Sequence, residues 1–372
     1  MNERLQRLAG IGQSVWMDSL SRDDIQDGNL ERMIEEGVVG VTSNPTIFQK
    51  AISESSLYDE QLQELAEKED DPKKIFLALA REDIRDACDL LLPIYESTGR
   101  LDGYVSLEVS PNLAYDTLAT VEEATRLHGL VNKPNLMVKI PATLPGLAAI
   151  EEMIATGHSI NVTLIFSLER YRAVTNAYIR GLQRLVAAGG NPSLVASVAS
   201  FFVSRVDTEA DKRLDEAGRP GLRGKLAIAN AKLAYRAFEE IFSGEDWGFL
   251  ESKGATKQRP LWASTSTKNP EYGDVVYVEE LAGPETVNTM PTDTLEAFMD
   301  HGEVRSTNSG RSPIEDGLDG ARALLVRLGE AGVDYGDVTE VLEKEGVQKF
   351  ADSFDELLEG IKDKSRQVVR QT

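Results

Sequence analysis

Short apolar runs that turn polar only at their ends recur along the chain. They are QSVWMDS (13–19), VVGVTSN (38–44), GYVSLEVS (103–110), LMVKIPA (136–142), SINVTLIFS (159–167), SLVASVASFFV (193–203), RPLWASTS (259–266) and ETVNTMP (285–291). Strands buried on both faces of a parallel sheet read this way, because helices cover both faces and neither alternates toward water. Between them apolar residues recur at helical spacing, in DTLATVEEATRLHGLV (116–131), LPGLAAIEEMIATG (144–157), LERYRAVTNAYIRGLQRLVAAGG (168–190) and KLAIANAKLAYRAFEEIFSG (225–244). Glycine stands at or just past several of their ends, as a helix stop does. Eight strands alternating with helices predict an α/β fold, a (β/α)8 barrel. An open doubly wound sheet is the alternative, since closure of the last strand on the first leaves no mark in a sequence.

Two stretches exceed the repeat: a helical, charged insertion over about 54–100 and a helical C-terminal extension over about 303–372. With no low-complexity linker between them and the barrel, the expectation is one domain over 1–372, the tail serving as a cap or an interface. The long stretch 207–258 is expected to extend one helix, with a rearranged entrance as the alternative.

Composition narrows the partners. The chain has 372 residues, 41% of them hydrophobic and 27% charged, enough to bury a large core. Its 62 acidic against 40 basic residues leave a formal charge of -22, which repels nucleic acid and anionic lipid alike. An anionic substrate has to find a few local cations. Cys88 has no partner for an internal disulfide, and His128, His158 and His301 are scattered, so neither a metal site nor a cofactor is expected. No run of about 18 apolar residues or basic-then-apolar leader is visible, and a reducing cytoplasm is the expected location.

In a barrel of this kind the C-terminal ends of the strands face the catalytic mouth, and unusual polar residues fall there. In chain order they are Asp18, Thr42 and Asn44, Ser106 and Glu108, Lys139, Asn161 and Thr163, Ser200 with Phe202 and Arg205, and Ser264 to Lys268. Lys139 stands among Met137, Val138, Ile140 and Pro141, where burial disfavours the charged form and frees the amine as a nucleophile toward a carbonyl. The alternative is a structural salt bridge to Glu108 or Asp18. Those two carboxylates are available for the proton transfers that imine formation and carbon–carbon cleavage require. Asn44, Asn161 and Thr163 suit a polyhydroxy substrate, although Asn44, before proline, is also placed to cap a helix. Arg205 and Lys268 follow strand ends closely, as phosphate ligands or as ordinary surface ion pairs.

The motifs GVTSNPTIF, VSLEVSP, LMVKIPAT, SINVTLIFS and SFFVSRVD, in this order and approximate spacing, resemble those of the transaldolases in their longer bacterial form. The resemblance covers about residues 14–300. It implies a metal-free transfer of a dihydroxyacetone unit from a ketose phosphate, sedoheptulose 7-phosphate or fructose 6-phosphate, to an aldose phosphate in the non-oxidative pentose phosphate pathway. It gives Lys139 the Schiff base, Glu108 an acid/base role through a water shared with Thr163, and Asp18 the proton at the hydroxyl beside the breaking bond. Asn44, Ser106, Asn161 and Ser200 match positions that bind or order the dihydroxyacetone part, Phe202 a pocket wall and Arg205 a phosphate ligand. The chain departs from the pattern at Phe201, where many relatives carry proline. ASTSTKNP lacks the arginine that shorter forms use as second phosphate ligand, which passes that role to Lys268. The rival readings are an aldolase that releases the three-carbon unit and a non-catalytic sugar-phosphate-binding barrel. Sugar phosphates are the expected partners, of a monomer or a homodimer.

Overall fold

The computed structural model describes residues 1–305 and 310–370, so residues 306–309 and 371–372 of the expected tail lie outside the described residues. Eight parallel strands, β1 (Gln13–Met17), β2 (Gly40–Thr42), β3 (Tyr104–Glu108), β4 (Leu136–Pro141), β5 (Ile160–Ile165), β6 (Ser197–Phe202), β7 (Arg259–Ala263) and β8 (Thr286–Met290), close in sequence order. β1 pairs with β8 from Gln13 against Thr286 to Met17 against Met290, which excludes the open sheet. The predicted strand at 193–203 starts late because Pro192–Leu194 forms a 3-10 turn before it.

The strands are buried on both faces. Toward the outer helices, Phe201 packs edge-on against Tyr171 and Trp262 at ring distances of 6.1 Å, so the departure from proline at this position fills the helix layer and not the mouth. The narrow start of β2 is set by Trp16, whose indole would lie 2.5 Å from a Cβ at Gly40. At the N-terminal end of the barrel Arg259 donates to Ser14 (2.7 Å), Asp102 (2.9 Å) and the Leu101 carbonyl (2.6 Å), while Trp16 donates to Asp102 at 3.1 Å. This buried network ties β1 and β7 to the turn before β3, far from the mouth.

After helix Pro45–Glu54 the insertion over about 54–100 is helical as expected, with helices Asp59–Ala66 and Pro72–Ser97. Its longest helix is fastened by Asp83, which accepts from Arg22 Nε at 2.8 Å and from the Tyr58 hydroxyl at 2.9 Å. The expectation of one extended helix over 207–258 is corrected: helices Ser204–Glu216, Leu226–Ile241 and Glu245–Glu251 succeed one another. Gly218, Pro220 and Gly221 break the first helix. The turn is then held by buried carboxylates, Asp211 accepting from Gly224 N and Asp207 from Ala227 N, each at 2.8 Å.

After β8 and helix Thr292–His301, the tail forms helices Leu318–Glu330 and Tyr335–Arg370. The last runs across the C-terminal end of the barrel. Tyr335 donates to Asn230 (2.6 Å), Glu343 pairs with Arg170 (3.1 Å), Thr46 donates to Ser353 (2.9 Å) and Asn112 to Asp355 (3.1 Å). At its far end Lys364 pairs with Asp59 at 2.6 Å. Phe350, Phe354, Leu357 and Ile361 are buried beneath it. Among the described residues no helix is long and apolar enough to cross a membrane.

Candidate active site

Lys139, Glu108 and Asn161 share one level of the barrel, since β4 pairs Glu108 with Lys139 on one side and Lys139 with Asn161 on the other. Inward residues on adjacent strands at one level face a common space. Lys139 is only 5% exposed, and its ammonium has found partners: it donates to the Ser43 carbonyl at 2.9 Å and lies 3.4 Å from Glu108 Oε2. The isolated cation expected from the apolar motif is thus an ion pair at the end of two strands. A salt bridge and a nucleophile are compatible, because a carboxylate at this distance is placed to take a proton from the ammonium.

Glu108 carries little else. Among the described residues neither of its carboxylate oxygens has a hydrogen bond, and the buried Thr163 hydroxyl has none either. Burial raises the Glu108 carboxyl above the usual carboxylate range against the opposing charge of Lys139, and Asp18 adds to the rise. Asp18 is raised for the same reason, with Lys139, a hydrogen bond from Thr42 and Arg205 pulling the other way. That bond is short, 2.6 Å from Thr42 Oγ1 to Asp18 Oδ1. Thr42 has one proton to give, so the 2.7 Å contact between the Thr42 and Thr289 hydroxyls is donated by Thr289. Two acids of raised affinity for protons therefore flank one lysine, each on its own strand.

The floor is a fixed polar chain. Ser200 donates to Asn161 Oδ1 at 2.7 Å, and Asn161 Nδ2 donates to Ser106 Oγ at 3.0 Å, all three groups being buried. These bonds lock the amide orientation of Asn161, which makes the serine hydroxyls oriented acceptors and donors toward the mouth. Asn44 does cap the helix Pro45–Glu54, its Oδ1 accepting from Ile47 N at 3.0 Å. Its amide nitrogen makes no hydrogen bond among the described residues, so the cap leaves that donor unused. A cleft of about 480 Å³ opens beside Asp18, lined also by Ile47, Lys50 and Pro291, while Glu108, Lys139 and Asn161 are not among its lining residues.

At the other rim stand the cations. Arg205, half-buried in the first turn of helix Ser204–Glu216, has its guanidinium 5.2 Å from the Phe202 ring centre and 5.8 Å from that of Phe350. It is not a surface ion pair, for no carboxylate lies within bonding distance of it among the described residues. Burial lowers its pKa, against the attraction of Asp18 and Glu108. Lys268 is exposed and donates to Ser266 at 2.6 Å; partial desolvation and then repulsion from Arg205 and Lys349 lower its pKa. Ser264, at a left-handed φ of 56°, turns its loop so that its carbonyl accepts from Ser204 N at 3.0 Å, coupling the Lys268 loop to the Arg205 helix.

The structure thus gathers Asp18, Glu108, Lys139, Asn161, Thr163, Ser106 and Ser200 around the barrel axis, with Asn44, Phe202, Arg205 and Lys268 at the rim. Sequence reasoning missed Thr289, although the polar end of the last strand, TVNTMP, obeys the rule that found the others. It also missed the Ser43 carbonyl and the contribution of the C-terminal helix, for which no local signal exists.

The family model described as Transaldolase/Fructose-6-phosphate aldolase matches residues 15–361. A Parafrankia protein named Transaldolase is 53% identical over 367 residues, covering 98% of each chain. Proteins of the same name from Frankia alni (51% identical) and Mycolicibacterium smegmatis (49%) each align over 362 residues, 96% of either chain.

Proposed function

The chain belongs to the transaldolase/fructose-6-phosphate aldolase family and is a transaldolase; from there we propose that it moves a dihydroxyacetone unit from a ketose phosphate to an aldose phosphate through a Schiff base on Lys139. The observation that carries this reading is the buried pair Glu108 and Lys139, with Glu108 Oε2 3.4 Å from the lysine nitrogen, beside the half-buried Asp18. The reading includes the non-oxidative pentose phosphate pathway, a cytoplasmic location and no cofactor.

The steps follow from the positions. Glu108 accepts a proton from Lys139, and the freed amine attacks the ketose carbonyl. Proton return to the carbinolamine oxygen expels water and leaves a protonated imine, with the Thr163 hydroxyl orienting the water that Glu108 uses. Asp18 then removes the proton from the hydroxyl beside the scissile bond. As that bond breaks, its electron pair flows into the imine, giving an enamine in place of a bare carbanion. The aldose phosphate leaves, the enamine carbon attacks the incoming aldehyde, and Asp18 returns its proton to the new alkoxide. Raised proton affinity at both acids suits groups that must take and give protons near neutral pH. The polar chain Ser200, Asn161 and Ser106 holds the three-carbon unit, and the Phe202 wall limits water at the enamine.

Borohydride reduction in the presence of fructose 6-phosphate should attach a three-carbon fragment to Lys139, read by peptide mass. Label elsewhere, or none, removes the mechanism. Sustained release of glyceraldehyde 3-phosphate without an acceptor would make the enzyme an aldolase.

A further inference from the structure

Lys349 is the only described cationic side chain of helix Tyr335–Arg370 without a carboxylate within ion-pair distance. Lys344 pairs with Glu340, Lys362 with Glu359, Lys364 with Asp59 and Arg366 with Asp363. Arg205 and Lys268, at the same rim, likewise have no carboxylate within ion-pair distance among the described residues, and Lys268 feels the charge of both Arg205 and Lys349. Among the described residues, Arg205 stacks near the Phe202 and Phe350 rings without a hydrogen-bonding partner, and Lys268 has the Ser266 hydroxyl as its one such partner.

The helix is held so that this residue faces the rim. A Cβ at Gly346 would come 3.1 Å from Leu164 Cδ2, so the helix backbone rests on the end of β5 there. Leu164 reaches that contact through a left-handed φ of 60° at a register shift in β5, a strained conformation for a branched residue. Four residues on, the Phe350 ring lies 5.8 Å from the Arg205 guanidinium. Lys349 occupies the turn between these two contacts, i+3 from Gly346, and its charge acts on Lys268.

We propose that Lys349 is a substrate-binding residue: the third cation, beside Arg205 and Lys268, of a site for the phosphate monoester at the far end of the substrate. The assignment of that phosphate to a sugar substrate rests on the function proposed above; the anion site itself does not. Three cations, from the helix after β6, the loop after β7 and the C-terminal helix, meet at this rim with Lys268 repelled by the other two, and a dianion among them removes that repulsion. Phosphate binding and docking of the helix are then coupled, each strengthening the other by the same factor. The helix supplies both a wall, Phe350, and a charge to one end of the substrate, which makes it a selector for phosphorylated sugars.

The test is titration of the full-length protein with inorganic phosphate by calorimetry at low salt. Lys349→Ala should weaken binding about tenfold, Lys349→Glu more than that, and Lys349→Arg should restore it to within about threefold. Lys362→Ala, which removes a paired lysine on the same helix, should leave it unchanged. Hydrogen exchange of segment 340–355 should slow with phosphate in the wild type and much less in Lys349→Ala. KM for fructose 6-phosphate should rise with the phosphate dissociation constant across the three Lys349 variants, with kcat changing less than twofold. Wild-type phosphate affinity in Lys349→Ala overturns the proposal, and so does loss of affinity unaccompanied by a rise in KM. Absence of borohydride label at Lys139 would instead strike the function while the phosphate titration still reads the anion site.

Discussion

At Asp18, burial and the charge of Lys139 weigh most on the proton, and the Thr42 hydroxyl adds a donor that can be removed alone. Burial pushes its carboxyl up, and the hydrogen bond from Thr42 is among the groups holding it down. Thr42→Val keeps the shape and removes that donor, so the Asp18 pKa should rise further. The proposed cleavage step needs Asp18 ionised, hence the acidic limb of the profile of kcat against pH should move to higher pH. The loss at neutral pH should be about tenfold, the scale of a hydrogen bond to a charged group. Thr289→Val should act in the same direction more weakly, since it touches Asp18 only through Thr42. An unshifted limb in Thr42→Val would detach Asp18 from the proton transfer.

Between β6 and β7 the expected long helix is cut into three, and buried acids replace continuous helix as the means of holding the connection. Asp207 accepts from Ala227 N and from the Tyr277 hydroxyl (2.8 Å), yet burial still pushes its carboxyl up to about 6 from an ordinary 3.8. The folded value lies above the unfolded one, so the native chain binds this proton more tightly. Its contribution to stability is complete below about pH 4 and is lost as the pH rises through about 6. The slope cannot exceed about 1.4 kcal/mol per pH unit for one group. Asp207→Asn should therefore flatten the decline of the urea midpoint between pH 4 and 6.5. Flattening should be partial, because Asp83, also pushed up to about 6, adds a parallel decline from the insertion helix. An unchanged slope would show that Asp207 binds no extra proton in the folded chain.

Across the whole molecule, chemistry and stability sit at opposite poles of the barrel. The Arg259 network closes the sheet at the N-terminal end, opposite the candidate site, and Arg259 and Asp102 are both under 10% exposed. Arg259→Ala leaves Asp102 buried without its cation, so stability should fall by about 3–5 kcal/mol. The surviving folded enzyme should keep its KM for fructose 6-phosphate. A raised KM without loss of stability would contradict the separation. At the mouth the C-terminal helix reaches from the Asn230 side to Asp59, tying the later half of the barrel to the insertion in one span.

What the sequence determined by itself was local: eight apolar runs became eight strands in order, and the polar ends of those runs came together at one end of the barrel as the candidate site. Strand burial and strand ends are written into consecutive residues, because a two-sided sheet forbids polar groups except where the strand stops. The family motifs added roles on the same positions. Closure was not written there, since Gln13 to Met17 meet Thr286 to Met290 only after the chain has turned full circle. Nor was the pairing of Lys139 with Glu108 readable as a certainty, for it depends on the register of β3 on β4. The break at Gly218 to Gly221 was visible as residues but outweighed by the length of the helical pattern around it. Least legible was the path of the last helix. Its amphipathic pattern says that it docks, whereas where it docks depends on Leu164, Phe76 and Asp59, which lie more than 180 residues away in the chain. Contacts between segments so distant leave no local trace, and only the folded barrel decides that the tail lies across the mouth.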